Sequence, residues 1–95
     1  MDDKQVYQQK LEAKLKEWRA DIDKLQAKVD GAQADARLKY REQLEDLEER
    51  RKEIEAQLHK LRDAQSAAWS DIRAGADKAW ESMSKAMQDA WGRFG

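Results

Sequence analysis

Histidine occurs once in this chain, at His59, and cysteine not at all. Those two facts bound the chemistry that side chains could perform. On a helix, His59 has Glu55 and Asp63 four residues away and Ala56 and Arg62 three residues away. A histidine with a carboxylate one turn off is a weak zinc pair, because zinc sites take three or four ligands. Without cysteine, disulfides and thiolate metal sites are excluded. The residues therefore read as a solvent-facing histidine and no metal site.

The same holds for acid–base and nucleophilic chemistry. Almost every carboxylate has a lysine or arginine close by in sequence, and nothing marks one as desolvated, as a general acid requires. Ser66, Ser70, Ser82 and Ser84 lack a base with which to form a triad. The terminal GRFG is too short for a phosphate-cradling loop. No catalytic residue, no cofactor-binding residue and no cofactor is assigned, and the chain is read as a non-enzyme.

Composition points the same way. Of 95 residues, 19 are basic and 20 acidic, so the net charge is −1. The signs are mixed throughout: seven of each in residues 1–30, eight basic against nine acidic in 31–65, and four of each in 66–95. No segment carries the basic excess that a phosphate backbone rewards, so nucleic acid is not an expected partner. The opening MDDKQVYQQK is polar, with two aspartates at its start, unlike a secretory signal. No run approaches the roughly 18 apolar residues of a membrane span. A cytoplasmic location is the expectation.

The elements that must position these side chains are helices. Proline is absent, glycine occurs four times, and helix formers dominate for most of the chain. Asp2 or Asp3 can cap a first helix, and Gly92 with Arg93 can end the last. Apolar residues recur at threes and fours in three stripes. The first is Tyr7, Leu11, Leu15, Trp18, Ile22, Leu25 and Val29. Next come Tyr40, Leu44, Leu47, Ile54, Leu58 and Leu61. Trp69, Ile72, Ala76, Trp80, Met83, Met87, Trp91 and Phe94 complete the set.

An eleven-residue beat overlies the stripes. Leu25, Ala36, Leu47, Leu58, Trp69, Trp80 and Trp91 form one row, and Tyr7, Trp18, Val29 and Tyr40 another. Eleven residues close three turns of a nearly relaxed α-helix, so each row stays on one side. The fold class read from this is all-α: long amphipathic helices in a coiled coil or helical hairpin, with at most one hinge. Because the apolar phase drifts smoothly past Gly31 and Gly75, continuity is preferred over breaks; an unbroken rod would reach roughly 140 Å. The alternative is a three-helix bundle of about 4–30, 32–64 and 67–92, with turns at Asp30-Gly31 and near Ser66 to Gly75.

The chain is thus a single domain, with a coiled-coil seam over 4–62 and a Trp- and Met-rich amphipathic helix over 66–94. The seam is narrow and flanked by opposite charges at helical spacing, such as Glu12 with Lys16 and Glu48 with Lys52. EDLEERRKEIE reads as its solvated exterior. Arg51 and Gln65 fall at apolar positions, either to select register or because they lie at the seam's edge. The last third, with charges that cancel, reads first as core, next as a groove for a partner helix, and last as a membrane-surface segment. The packing or partner face comprises Trp18, Ile22, Leu25, Leu44, Leu47, Leu58, Leu61, Trp69, Ile72, Trp80, Met83, Met87 and Trp91.

Two stretches, LKEWRADIDKLQAKVDGAQADARLKY and LHKLRDAQSAAWSDIRAGADKAWESMSKAM, resemble the small bacterial coiled-coil stress-response proteins found in cyanobacteria and proteobacteria. The shared marks are LKEW with Trp18, the alanine-rich middle ending in Tyr40, and the block holding Trp69, Gly75 and Trp80. Gly31 departs from the family's pattern. The resemblance spans nearly the whole chain and implies no catalytic or binding residues. The function read from residues and resemblance together is a self-associating coiled-coil protein, a stress-response scaffold or interaction module that forms a homo-oligomer or takes up a partner helix. Its alternative is a lipid- or membrane-surface-binding amphipathic protein.

Overall fold

Unbroken helix-forming sequence becomes three helices here, because a narrow apolar stripe on a lone helix stays wet and must be covered. The computed structural model describes residues 3–64 and 68–94, the side chain of Phe94 excepted. Helix α1 spans Asp3–Asp30, α2 Ala34–Asp63 and α3 Trp69–Phe94. Side-chain pairs such as Arg62 with Glu12 and Arg50 with Ser82 set α2 antiparallel to both neighbours. Trp18 against Trp80, and Tyr7 against Trp69, set α1 parallel to α3.

The all-α reading holds, in the form of the three-helix bundle. The preference for long helices with at most one hinge is corrected: the chain turns twice and measures 51 × 19 × 19 Å, far short of a rod. A smooth apolar phase did not prevent the breaks, because each helix of a bundle needs only its own stripe, and the loop between two helices is free to orient it whatever the phase. The expected bundle boundaries lie within two residues of those found. Among the described residues every buried side chain is apolar. Leu11, Leu15, Trp18, Ile22, Leu25 and Val29 come from α1, and Leu44, Leu47, Ile54, Leu58 and Leu61 from α2. Helix α3 adds Ala76, Met83, Met87 and Ala90. Its small alanines leave room for the large side chains of the facing helices.

The helix ends depart from expectation. Asp3 lies inside the first turn of α1, where its charge suits the positive end of the dipole. Gly92 does not stop α3, which continues to Phe94. Ser70 sits within the first turn of α3 rather than before it. The caps assigned to Asp2 and Ser66, and the seam position of Gln65, lie outside the described residues. Gln33 precedes α2 with an extended backbone (φ −67°, ψ 158°) and makes no side-chain cap. At the other end of α2, the Lys4 ammonium donates to the carbonyl of Ala64.

Candidate functional site

The parallel helices α1 and α3 approach each other least closely of the three pairs. Aromatic rings fill the space between them. Tyr7 meets Trp69 with ring centroids 6.2 Å apart, and Trp18 meets Trp80 at 5.5 Å. Both pairs are separated by 62 residues, so the two eleven-residue rows face each other in step along the seam. Cations sit over the rings. Lys14 Nζ is 5.4 Å from Trp18, Lys28 Nζ is 5.7 Å from Trp91, and Arg73 stands 5.3 Å from Tyr7 and 5.4 Å from Trp69. Each such contact contributes about 0.5–1 kcal/mol at an exposed site. The Tyr7 hydroxyl donates to Asp77 Oδ1 at 2.5 Å. Burial, then that bond to a carboxylate, pushes the Tyr7 hydroxyl well above its ordinary pKa.

The antiparallel joint between α1 and α2 is held by charge. Glu55 accepts from Arg51 Nη1 at 2.6 Å and from Arg19 Nε at 3.1 Å, and Arg51 also reaches Glu48 at 2.9 Å. Burial opposes ionisation of Glu55, but the two guanidinium donors outweigh it and hold its pKa below the ordinary value. Arg51 is therefore neither core nor register device: it lies at the seam's edge, its side chain 20% exposed, neutralised on both sides. Glu12 accepts from Arg62 at 2.9 Å and from Gln8 at 3.2 Å, and both bonds lower its pKa. The local pairs expected from spacing give way here: Glu12 turns to Arg62 and Gln8 rather than Lys16, and Glu48 to Arg51 rather than Lys52. Arginine's planar fork makes it the better carboxylate partner.

Between α2 and α3 an open cleft of about 930 Å³ carries Lys39, Arg50, Lys85 and Arg93 against Glu42, Asp46 and Asp89. Its charges are of both signs and stand in solvent. Arg50 spans it, paired to Asp46 at 2.8 Å and donating to the Ser82 hydroxyl. His59 Nε2 lies 3.4 Å from Asp63 Oδ2 on the exposed face of α2. Among the described residues, no group of three or more His, Asp or Glu side chains is placed to hold a metal ion. Nor, among them, is any helix long and apolar enough to cross a membrane.

The thirteen face residues named from the sequence divide into two sets. Trp18, Ile22, Leu25, Leu44, Leu47, Leu58, Leu61, Met83 and Met87 are buried in one shared core. Trp69, Ile72, Trp80 and Trp91 are half-buried against it. No protein-family model, curated protein or solved structure matches this chain. The structure adds contributors that the face omitted. Leu11, Leu15, Val29, Ile54 and Ala76 belonged to the apolar stripes and are buried. Ala90 is fully buried too, and its stripe spacing, three residues beyond Met87, was the signal that could have found it.

Proposed function

We propose that the protein is a non-enzymatic helical module that works by association, a self-associating scaffold of the kind the stress-response resemblance implies. One observation carries this reading. Among the described residues, the groups whose ionisation the fold perturbs, Tyr7, Glu12, Arg51 and Glu55, all take part in contacts that tie helices together or neutralise that joint. Perturbed groups gather at sites of chemistry in enzymes; here they serve to hold the bundle together. Self-association is supported by the half-buried row of Trp69, Ile72, Trp80 and Trp91, whose apolar surface one chain does not fully cover. The test is solution mass by light scattering across a concentration series. Mass rising with concentration is expected, and a chain that stays monomeric throughout overturns the self-association.

A second reading rests on the same edge. Rings flanked by Lys14, Lys28 and Arg73 suit the headgroup boundary of a lipid surface, if α1 and α3 part there. Tryptophan emission with and without anionic vesicles separates the two readings. A blue shift and larger amplitude on vesicles favour lipid, and an unchanged spectrum favours association between chains. Cytoplasmic location belongs to the same proposal.

A further inference from the structure

The first turn, between α1 and α2, is held by few bonds. The helical ladder runs through Gly31, whose amide donates to Ala27 O at 3.2 Å. Ala32 then slips to a tighter bond with Val29 O at 3.1 Å. Gln33 makes the turn: its φ of −67° is already helical, and its ψ of 158° is what departs. No described residue, glycine included, has a positive φ. The turn contains no proline, and Gln33 makes no side-chain cap. A bond from Arg37 Nη2 to Ala32 O at 3.0 Å braces it at the exposed surface. With the Gly31 and Ala32 amides already bonded back into α1, returning the ψ of Gln33 to the helical range would therefore help carry α1 on into α2.

The apolar pattern is arranged for that helix as well as for the turn. Leu11, Ile22 and Leu44 share an eleven-residue row that passes through position 33. Tyr7, Trp18, Val29 and Tyr40 form a second row, and Leu25, Ala36, Leu47 and Leu58 a third. At about 3.67 residues per turn the three rows stay within one stripe roughly a fifth of the circumference wide. An ordinary bundle needs no phase relation between consecutive helices, since the loop between them can reset it. A joined helix does need one, because both halves must face the same side.

We propose that the chain exchanges α1 with a second copy of itself, through a straightened helix running from Asp3 to Asp63. The occupant of each vacated α1 groove is then the α1 of the partner chain. That helix remakes the same contacts, including Glu12 with Arg62 and Arg19 with Glu55, between chains instead of within one. Exchange of an identical element is a low-cost route to a dimer, because its main interface already exists. The inference rests on the self-association proposed above and names its geometry.

Two substitutions push the turn in opposite directions. Ala34 is the first residue of α2, where proline is tolerated, and the extended Gln33 before it suits proline too. Inside a continuous helix the same proline is strongly disfavoured. Ala34→Pro should therefore preserve the bundle and weaken dimerisation by about ten-thousand-fold, with two turns affected per dimer. Gln33→Leu fills the polar gap in the first row and should tighten dimerisation at least about tenfold. The readouts are mass by light scattering after refolding at high concentration, and a spin-label distance between Ala20→Cys and Lys52→Cys in doubly labelled chains diluted with unlabelled ones. These positions flank the Arg19–Glu55 joint, so their separation is short in the bundle; it becomes about 48 Å in a straight helix. A dimer fraction showing the long distance, enriched by Gln33→Leu and absent in Ala34→Pro, is the expected result. A dimer that keeps the short distance and survives Ala34→Pro overturns the exchange while leaving self-association in place. Monomers at every concentration for both wild type and Gln33→Leu overturn both.

Discussion

Trp18 and Trp80 meet edge to face, ring centroids 5.5 Å apart and planes at 74°, across two helices that run in the same direction. Parallel neighbours in an up-down-up bundle are not joined by a turn and must find their register through side chains. Here the register is carried by residues spaced eleven apart on both helices, Tyr7 and Trp18 on α1, Trp69, Trp80 and Trp91 on α3. Even spacing of tryptophan is thus explained by a partner row of the same period.

Burial divides the two tryptophans unequally, and so should mutation. Trp18 is 2% exposed and Trp80 half-buried. Trp18→Ala should destabilise the protein by about 3–5 kcal/mol, the range for a buried aromatic. Trp80→Ala should cost about 2–3 kcal/mol, since part of its surface stays in water. A double-mutant cycle by urea denaturation should return a coupling of about 0.5–1.5 kcal/mol. Strict additivity would mean that the rings do not sense each other.

Much of this packing was legible in the sequence, and the reason is the period. Nine of the thirteen face residues are core because threes and fours leave one side of a helix apolar whatever it packs against. The turns were less legible. At the first turn Asp30-Gly31 was the local signal, and it was outweighed because Ala32, Gln33 and Ala34 are not loop residues and the apolar phase runs through them. Interhelical ion pairs were hidden for a different reason. Glu12 has Lys16 at ideal helical spacing, yet the fold brings Arg62 to it from 50 residues away. Spacing ranks local partners alone, and a bidentate donor from another helix outcompetes them.

Tyr7 predicts alkaline sensitivity. Its hydroxyl is held protonated in the folded state by burial and by donation to Asp77. A raised folded pKa means that the folded state binds the proton more tightly, so the associated stability is fully present below the unfolded value of about 10 and is lost as pH rises above it. Urea midpoints should fall between pH 10 and 11.5 in wild type. Tyr7→Phe should cost about 1 kcal/mol at pH 7 and show a shallower alkaline decline. Parallel pH profiles for the two proteins would refute the assignment.

Glu55 predicts the mirror image in acid. Despite burial, Arg19 and Arg51 keep its carboxyl below the ordinary value of 4.5. A depressed folded pKa gives stability that is present above the unfolded value and lost as pH falls through the folded one. Glu55→Gln should lower stability by roughly 1 kcal/mol at pH 7, a modest figure because the network is partly exposed. As pH falls below 4.5 and through the depressed folded value, the difference from wild type should close. Salt should also narrow it, since partly exposed pairs are screened. A gap that persists at pH 2.5 would show that Glu55 acts through packing instead.

Gly75 offers a stabilising change whose sign tests how tightly α2 and α3 pack. The residue is helical, so alanine in its place gains about 1 kcal/mol of helix propensity. Against that, a Cβ built there lies 3.2 Å from Gln57 Oε1 on α2. Oε1 is the far end of a flexible side chain whose Nε2 donates to Glu53 at 3.0 Å, so moving it strains one exposed bond and no backbone. Yielding by a few tenths of an ångström costs less than the propensity gained. Gly75→Ala should therefore raise stability by about 0.5 kcal/mol, or a few degrees in Tm for a domain of this size. Gly92→Ala is the control: it is helical as well, with nothing within 4 Å of the added methyl. It lies in the last turn of α3, where fewer intrahelical bonds depend on it and propensity counts for less, so its gain should be smaller. If Gly75→Ala melts below wild type while Gly92→Ala does not, Gln57 is held rigidly and the α2–α3 interface is tighter at that point than its exposed hydrogen bond implies.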